Sequence, residues 1–240
     1  MSVTKIVPLT NVGLLAGAMN RAQSRPSGLP GLVAMYGPSG LGKSAAAAFA
    51  ANMHRAYYVE CRDTWSKKAF LQSVLLEMSV QSSRTMSEMV DQIAVQLSAS
   101  GRPLIIDDVQ YLLDKAVANV LTDIYNASQG TIVIIGEERV PSSLAKLERL
   151  HNRVLEWVPA QPATIDDLKQ LATSSYPKLA IADDLLEDLN RATKGCLRRA
   201  AVNLYRIQSE ASAMMRDNID LAAWGKRGWD NGEAPARRTR

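Results

Sequence analysis

Five short apolar runs, each bounded by glycine, proline or charge, set the rhythm of the chain. Leu32–Tyr36 (LVAMY), Tyr57–Cys61 (YYVEC), Leu104–Asp107 (LIID), Thr131–Ile135 (TIVII) and Val154–Val158 (VLEWV) read as strands. The first is the continuous apolar run expected of a strand covered on both faces. Helical stretches are predicted between them, near 44–54, 65–79, 86–99, 114–127 and 142–150. An earlier helix runs from Asn11 to about Gln23, with Thr10 or Asn11 as cap and Val12, Leu15 and Met19 on one face. Residues 24–31 (SRPSGLPG) then form a turn-rich connector. Strands alternating with helices imply an α/β unit, a parallel sheet between two layers of helices.

Beyond Pro159 the strand signal stops. Residues 164–173, 183–192 and 197–216 carry helical patterning, with Asp183 and Asp184 suited to a helix N-terminus and Gly195 breaking the chain before the last helix. The expected organisation is an N-terminal helix and connector (1–31), an α/β domain (32–159), a small all-helical domain (160–220) and a basic tail (221–240). That tail mixes Gly, Pro and Arg without periodicity and is expected to be mobile.

Composition narrows the class. The 240 residues are 47% hydrophobic and 22% charged, which excludes an extended disordered chain and allows a core that needs no staples. Cys61 and Cys196 stand far apart in sequence, without the spacing of a zinc site or a disulfide framework. No apolar run reaches the length of a membrane span and none has the pattern of a signal peptide, so a cytoplasmic location without membrane contact is expected. The net charge of +4 is uneven: residues 191–240 carry +6 and residues 1–190 carry −2. A basic C-terminal fifth points weakly to a polyanionic partner.

The chemistry is most specific at Gly37-Pro38-Ser39-Gly40-Leu41-Gly42-Lys43-Ser44, which satisfies G-x-x-x-x-G-K-[ST] without a mismatch. Glycines let backbone N–H groups curl around phosphate oxygens, and the helix begun at Lys43 turns its positive end toward them. Lys43 reaches the β and γ phosphates, and Ser44 ligates Mg²⁺. With Ala45, these residues are the candidate contacts for ATP. Leu104-Ile105-Ile106-Asp107-Asp108 supplies the acidic partner: Asp107 for the Mg²⁺ shell, Asp108 to orient or deprotonate the attacking water. A strand and two helical stretches separate loop from acids, so another strand is expected between the two catalytic strands.

Together these motifs resemble an AAA+ ATPase, a P-loop core of five parallel strands followed by a helical lid. The resemblance implies a sensor after the fourth strand, where Glu137 and Glu138 are weak candidates because Gly136 occupies the strand end. It implies an arginine finger at Arg153, with Arg149 as alternative, and a second sensor at Arg198 in Gly195-Cys196-Leu197-Arg198-Arg199. His54 and His151 are read as structural.

Within that superfamily, residues 10–215 resemble the transposition helper ATPases, the family of the phage Mu target-selection protein. The likeness rests on the catalytic motifs, on Ala18-Met19-Asn20-Arg21-Ala22, on Tyr36 before the loop and on the Trp65 helix. It implies ATP-dependent assembly of many copies, as a helical filament or ring, on double-stranded DNA, and delivery of that DNA to a transposase. Lys67, Lys68, Arg84, Arg102 and Arg139 are candidate phosphate contacts. A helicase-loader or initiator-like ATPase and a nucleotide switch without DNA binding are the rival readings.

Overall fold

The computed structural model describes residues 8–113 and 118–232. The chain divides into two compact units, one of residues 11–39 and 43–160, the other of residues 8–10, 40–42 and 161–232.

The larger unit is built on β1 (Leu32–Tyr36), β2 (Tyr57–Glu60), β3 (Leu104–Asp107), β4 (Ile132–Gly136) and β5 (Val154–Pro159). All pair in parallel, in the order β2-β3-β4-β1-β5. The expected intervening strand is β4, which separates β1 from β3. Every residue of β3 and β4 is buried, as is β1 up to Met35, whereas edge strand β5 is half-buried over most of its length.

Eight helices among the described residues accompany this sheet, the last three falling in the stretches expected at 114–127 and 142–150. They are α1 (Thr10–Gln23), α2 (Lys43–His54), α3 (Lys67–Glu77), α4 (Met86–Ser100), α5 (Gln110–Leu113), α6 (Ala118–Ser128), α7 (Val140–Ala145) and α8 (Glu148–His151). Asn11 onward groups with this unit. Local sequence explains the ends. Thr85 and Glu88 form a reciprocal capping box that starts α4, and Gly101, at φ 63°, ends it. Ser66 caps α3 by accepting from the Ala69 N–H. The helix expected over 142–150 is instead α7 and α8: Pro141 suits the first turn of α7, and Leu147, at φ −117° and ψ 64°, breaks the run. Residues 114–117 of the predicted 114–127 helix lie outside the described residues.

The smaller unit contains α9 (Ile165–Ser175), α10 (Asp183–Thr193), α11 (Leu197–Ala213) and α12 (Leu221–Trp224). It is not purely helical, because Ala180–Ile181 (β6) and Asn218–Ile219 (β7) pair in parallel. Asp167 organises its start. This buried carboxylate accepts from the Thr164 N–H at 2.9 Å within the capping box of α9, and from the N–H and Oγ1 of Thr10 at 2.7 and 3.1 Å.

Residues 221–232 differ from the mobile tail expected of them. Trp224 is buried and stacks on Trp229 with centroids 4.7 Å apart. The Trp229 indole donates to Asp188 at 2.8 Å, while Asn203 and the Asp230 backbone exchange two bonds of 2.8 and 2.9 Å. Two indoles with satisfied N–H groups bury enough apolar surface to fix a segment whose Gly and Arg content gives no periodic signal. The remaining tail, with Arg237, Arg238 and Arg240, lies outside the described residues.

Candidate active site

The phosphate loop leaves the buried strand β1 and enters α2, an alanine-rich helix whose Ala46, Ala47 and Ala50 are buried. Small side chains on that face let the helix pack closely, and its N-terminus directly follows the loop. Lys43 Nζ donates to the carbonyls of Gly37 and Pro38 at 2.7 and 2.8 Å, so its charge is curled over its own loop. Ser44 and Ala45 are exposed in the first turn. Gly40–Gly42 group with the smaller unit. Gly40 and Gly42 have φ of 87° and 84°, and a Cβ there would lie 2.6 Å from Cys196 Sγ and 2.7 Å from Leu197 Cδ1. The positive φ favours glycine at both positions, and an added side chain would also have to displace the tips of Cys196 and Leu197. In the same unit the Arg198 N–H donates to the Gly40 carbonyl at 3.1 Å, from the exposed first turn of α11.

The acids sit at the matching end of β3. Asp107 is 1% exposed and accepts from the Tyr58 hydroxyl at 3.0 Å and from the Asp108 N–H at 2.9 Å. Asp108 is half-buried, at φ 53°, and its Oδ1 accepts from Gln110 Nε2 at 3.0 Å. Burial, together with the Asp107 charge, raises the pKa of the Tyr58 hydroxyl, which keeps it a donor. Burial also pushes the Cys61 thiol up to about 12, reinforced by Asp107, Asp108 and Glu60.

Because the strands are parallel, Gly37 just after β1 and Asp107 and Gly136 at the ends of β3 and β4 share the carboxyl edge of the sheet, where ligands of open α/β sheets bind. No group of three or more His, Cys, Asp or Glu able to hold a metal occurs among the described residues. Asp107 is the carboxylate most buried among the described residues at this end of the sheet.

The strand order, the loop after β1 and the paired acids after β3 define the architecture. The fold is that of an AAA+ P-loop ATPase. Residues 27–144 match the family model of an AAA domain. No curated protein matches the chain.

Several solved structures are similar to it. The ORC2 protein of Aeropyrum pernix, in ADPNP and ADP complexes, superposes with a TM-score of 0.66 at 15% identity, covering 89% of this chain and 65% of that one. The Holliday junction branch migration motor RuvB of Thermotoga maritima gives 0.63 at 20% identity, covering 92% and 69%. The ORC1 protein of Aeropyrum pernix in complex with DNA gives 0.62 at 16% identity, covering 89% and 62%. The chain thus spans about two-thirds of the length of these proteins.

Around the AAA+ core the remaining candidates separate. Glu137, Glu138 and Arg139 are exposed after β4. Arg153 is half-buried: its Nε donates to Asn126 Oδ1 at 2.8 Å, its Nη1 to the Arg149 carbonyl, and its guanidinium lies 5.9 Å from the centroid of the Tyr125 ring. Arg149 is exposed on α8. His54 Nδ1 lies 2.7 Å from Gln23 Oε1.

Lys68 Nζ donates to the Arg84 carbonyl at 3.3 Å, which brings the start of α3 to the segment before α4. Lys67 opens the same helix, and Arg62 lies 5.9 Å from the centroid of the Trp65 ring just before it. Arg102 is apart from this group, at the opposite, amino end of β3. It stacks on Tyr57 with its guanidinium 3.9 Å from the ring centroid and bonds the Arg55 carbonyl. Tyr58 and Gln110 escaped the sequence reading. Their signals were a polar group alternating outward on β2 and an amide two residues after the acidic pair.

Proposed function

We propose that the chain is an ATP hydrolase whose ATP-bound copies assemble on double-stranded DNA with little sequence preference, delivering that DNA to a transposase. The observation that carries the ATPase reading is the phosphate loop and the Asp107–Asp108 pair on flanking strands, with only β4 between them. The residues fit ATP and Mg²⁺: a loop whose positive φ favours glycine at Gly40 and Gly42, a lysine already bridging its carbonyls, and a carboxylate held by two donors. Lys43 would exchange the Gly37 and Pro38 carbonyls for phosphate oxygens. Ser44 and Asp107 would hold Mg²⁺, which neutralises charge on the phosphates when bound. Asp108 would take the proton of the attacking water.

The DNA reading is supported by the cationic group formed by Lys67, Lys68 and Arg84, with Arg62 and Trp65 beside it. Arg139 stays a candidate as an exposed residue after β4, whereas Arg102 has an internal role. For the arginine finger, exposure favours Arg149 over Arg153, whose guanidinium is engaged within its own unit.

The likeness to an ORC1 protein in complex with DNA favours a second reading, an initiator-like or helicase-loader ATPase. Electron microscopy of the full chain with duplex DNA, in ATP and in ADP, separates them. Filaments or stacked rings on any duplex in ATP, lost in ADP, are expected. Binding confined to particular sequences would favour the initiator-like reading, and no DNA association in either nucleotide would overturn both.

A further inference from the structure

β4 ends on Gly136, paired with Tyr36 of β1, so the strand between the phosphate loop and the acids contributes no side chain at its end. The carboxamide of Gln110 fills that place. A Cβ at position 136 would lie 2.7 Å from Gln110 Oε1, 2.6 Å from Val140 Cγ2 and 3.2 Å from Val109 Cγ1.

The two ends of this amide are treated unequally. Nε2 donates to Asp108 Oδ1 at 3.0 Å, whereas Oε1 is buried with no hydrogen-bond partner. Stability alone disfavours such an arrangement, since an apolar side chain of the same length would fill the space without orphaning an acceptor. What the amide provides is a grip on Asp108. The Asp108 backbone is fixed by its left-handed conformation and by the N–H bond to Asp107, but neither restrains its carboxylate. The bond from Gln110 does.

We propose that Gln110 is a positioning residue for hydrolysis. It holds one carboxylate oxygen of Asp108 so that the other is presented to the attacking water, in the place that a side chain on β4 would otherwise occupy. This rests on the reading of Asp108 as the base.

Steady-state ATPase assays on the full chain with Mg²⁺ and duplex DNA test it. Gln110→Met, which keeps the volume and removes the donor, should lower kcat at least tenfold with the KM for ATP within twofold of wild type. Gln110→Glu should lower kcat at least as far, because an isosteric carboxylate repels Asp108. A residue that only packs would tolerate that isostere, so wild-type kcat in Gln110→Glu overturns the proposal. A loss of ATP affinity that accounts for the whole effect does so too. Asp108→Asn is the reference. If it still turns over ATP, the base assignment fails and the role of Gln110 falls with it. If it is inactive while Gln110→Met is normal, the Gln110 inference alone fails.

Discussion

His54 illustrates how a single side chain can set a pH limit without taking part in function. Its Nδ1 lies 2.7 Å from Gln23 Oε1, and its Nε2 is buried with no partner. Protonation would place an N–H and a positive charge where nothing accepts them, and burial accordingly lowers the pKa from the ordinary histidine value. The sign follows from linkage. The folded protein binds this proton less readily than the unfolded chain, so the stability contributed by neutral His54 is present above the unfolded value of about 6.5. It is lost as the pH falls toward the lowered folded value. Imidazole NMR, with the resonance assigned through His54→Gln, should show His54 titrating below 6.5. The melting temperature of His54→Gln should fall less steeply than wild type between about pH 7 and 5. Titration at or above 6.5 would remove the argument.

Among the elements, Asp167 does the most for its size. It completes the α9 capping box and also holds the N–H and hydroxyl of Thr10. Asp167→Ala removes the acceptor of the N–H of exposed Thr164 and of half-buried Thr10, an expected cost of about 1–2 kcal/mol. Hydrogen exchange should quicken across α9 while β3 and β4 keep their protection, and Asp167→Asn, which retains an acceptor oxygen, should lose about half as much. Unchanged protection in α9 would show that the cap contributes little.

The same elements mark how far the sequence could be read. Five strands, the phosphate loop and the three long helices after Pro159 were legible, because apolar runs and 3.6-residue patterns report burial directly. The capping box at Thr164–Asp167 follows the same local logic. The reach from Asp167 to Thr10 did not appear, since a contact spanning 157 residues leaves no local pattern. Trp224 and Trp229 were passed over for a related reason: two aromatic residues among Gly and Arg form a packed unit only through Asp188 and Asn203, which lie elsewhere in the chain. Gln110 was invisible because its role depends on an absence, the missing side chain of Gly136.

For the whole molecule, the question is which of its positive charges meet DNA. The C-terminal fifth carries +6, more than the net +4, yet two of its arginines are engaged within the smaller unit. Arg227 pairs with Glu210 at 3.2 Å, bonds the carbonyls of Ala223 and Trp224, and lies 5.9 Å from the Trp224 ring centroid. Arg206 Nη1 donates to Asn203 Oδ1 at 3.1 Å. Lys68 and Arg84 belong instead to the nominally acidic part of the chain, where both are exposed. Net charge and binding surface therefore diverge, and salt dependence can tell them apart. Each phosphate contact contributes about 0.9 to the slope of log Kobs against log salt for duplex DNA. Lys68→Ala with Arg84→Ala should reduce that slope by about 1 to 2 in the ATP-bound state, weakening binding similarly on duplexes of unrelated sequence. Arg227→Ala should leave the slope unchanged and destabilise the smaller unit. If the slope instead follows Arg227 and ignores Lys68 and Arg84, the DNA surface lies on the smaller unit, and the cationic group before α4 is only a solvated face.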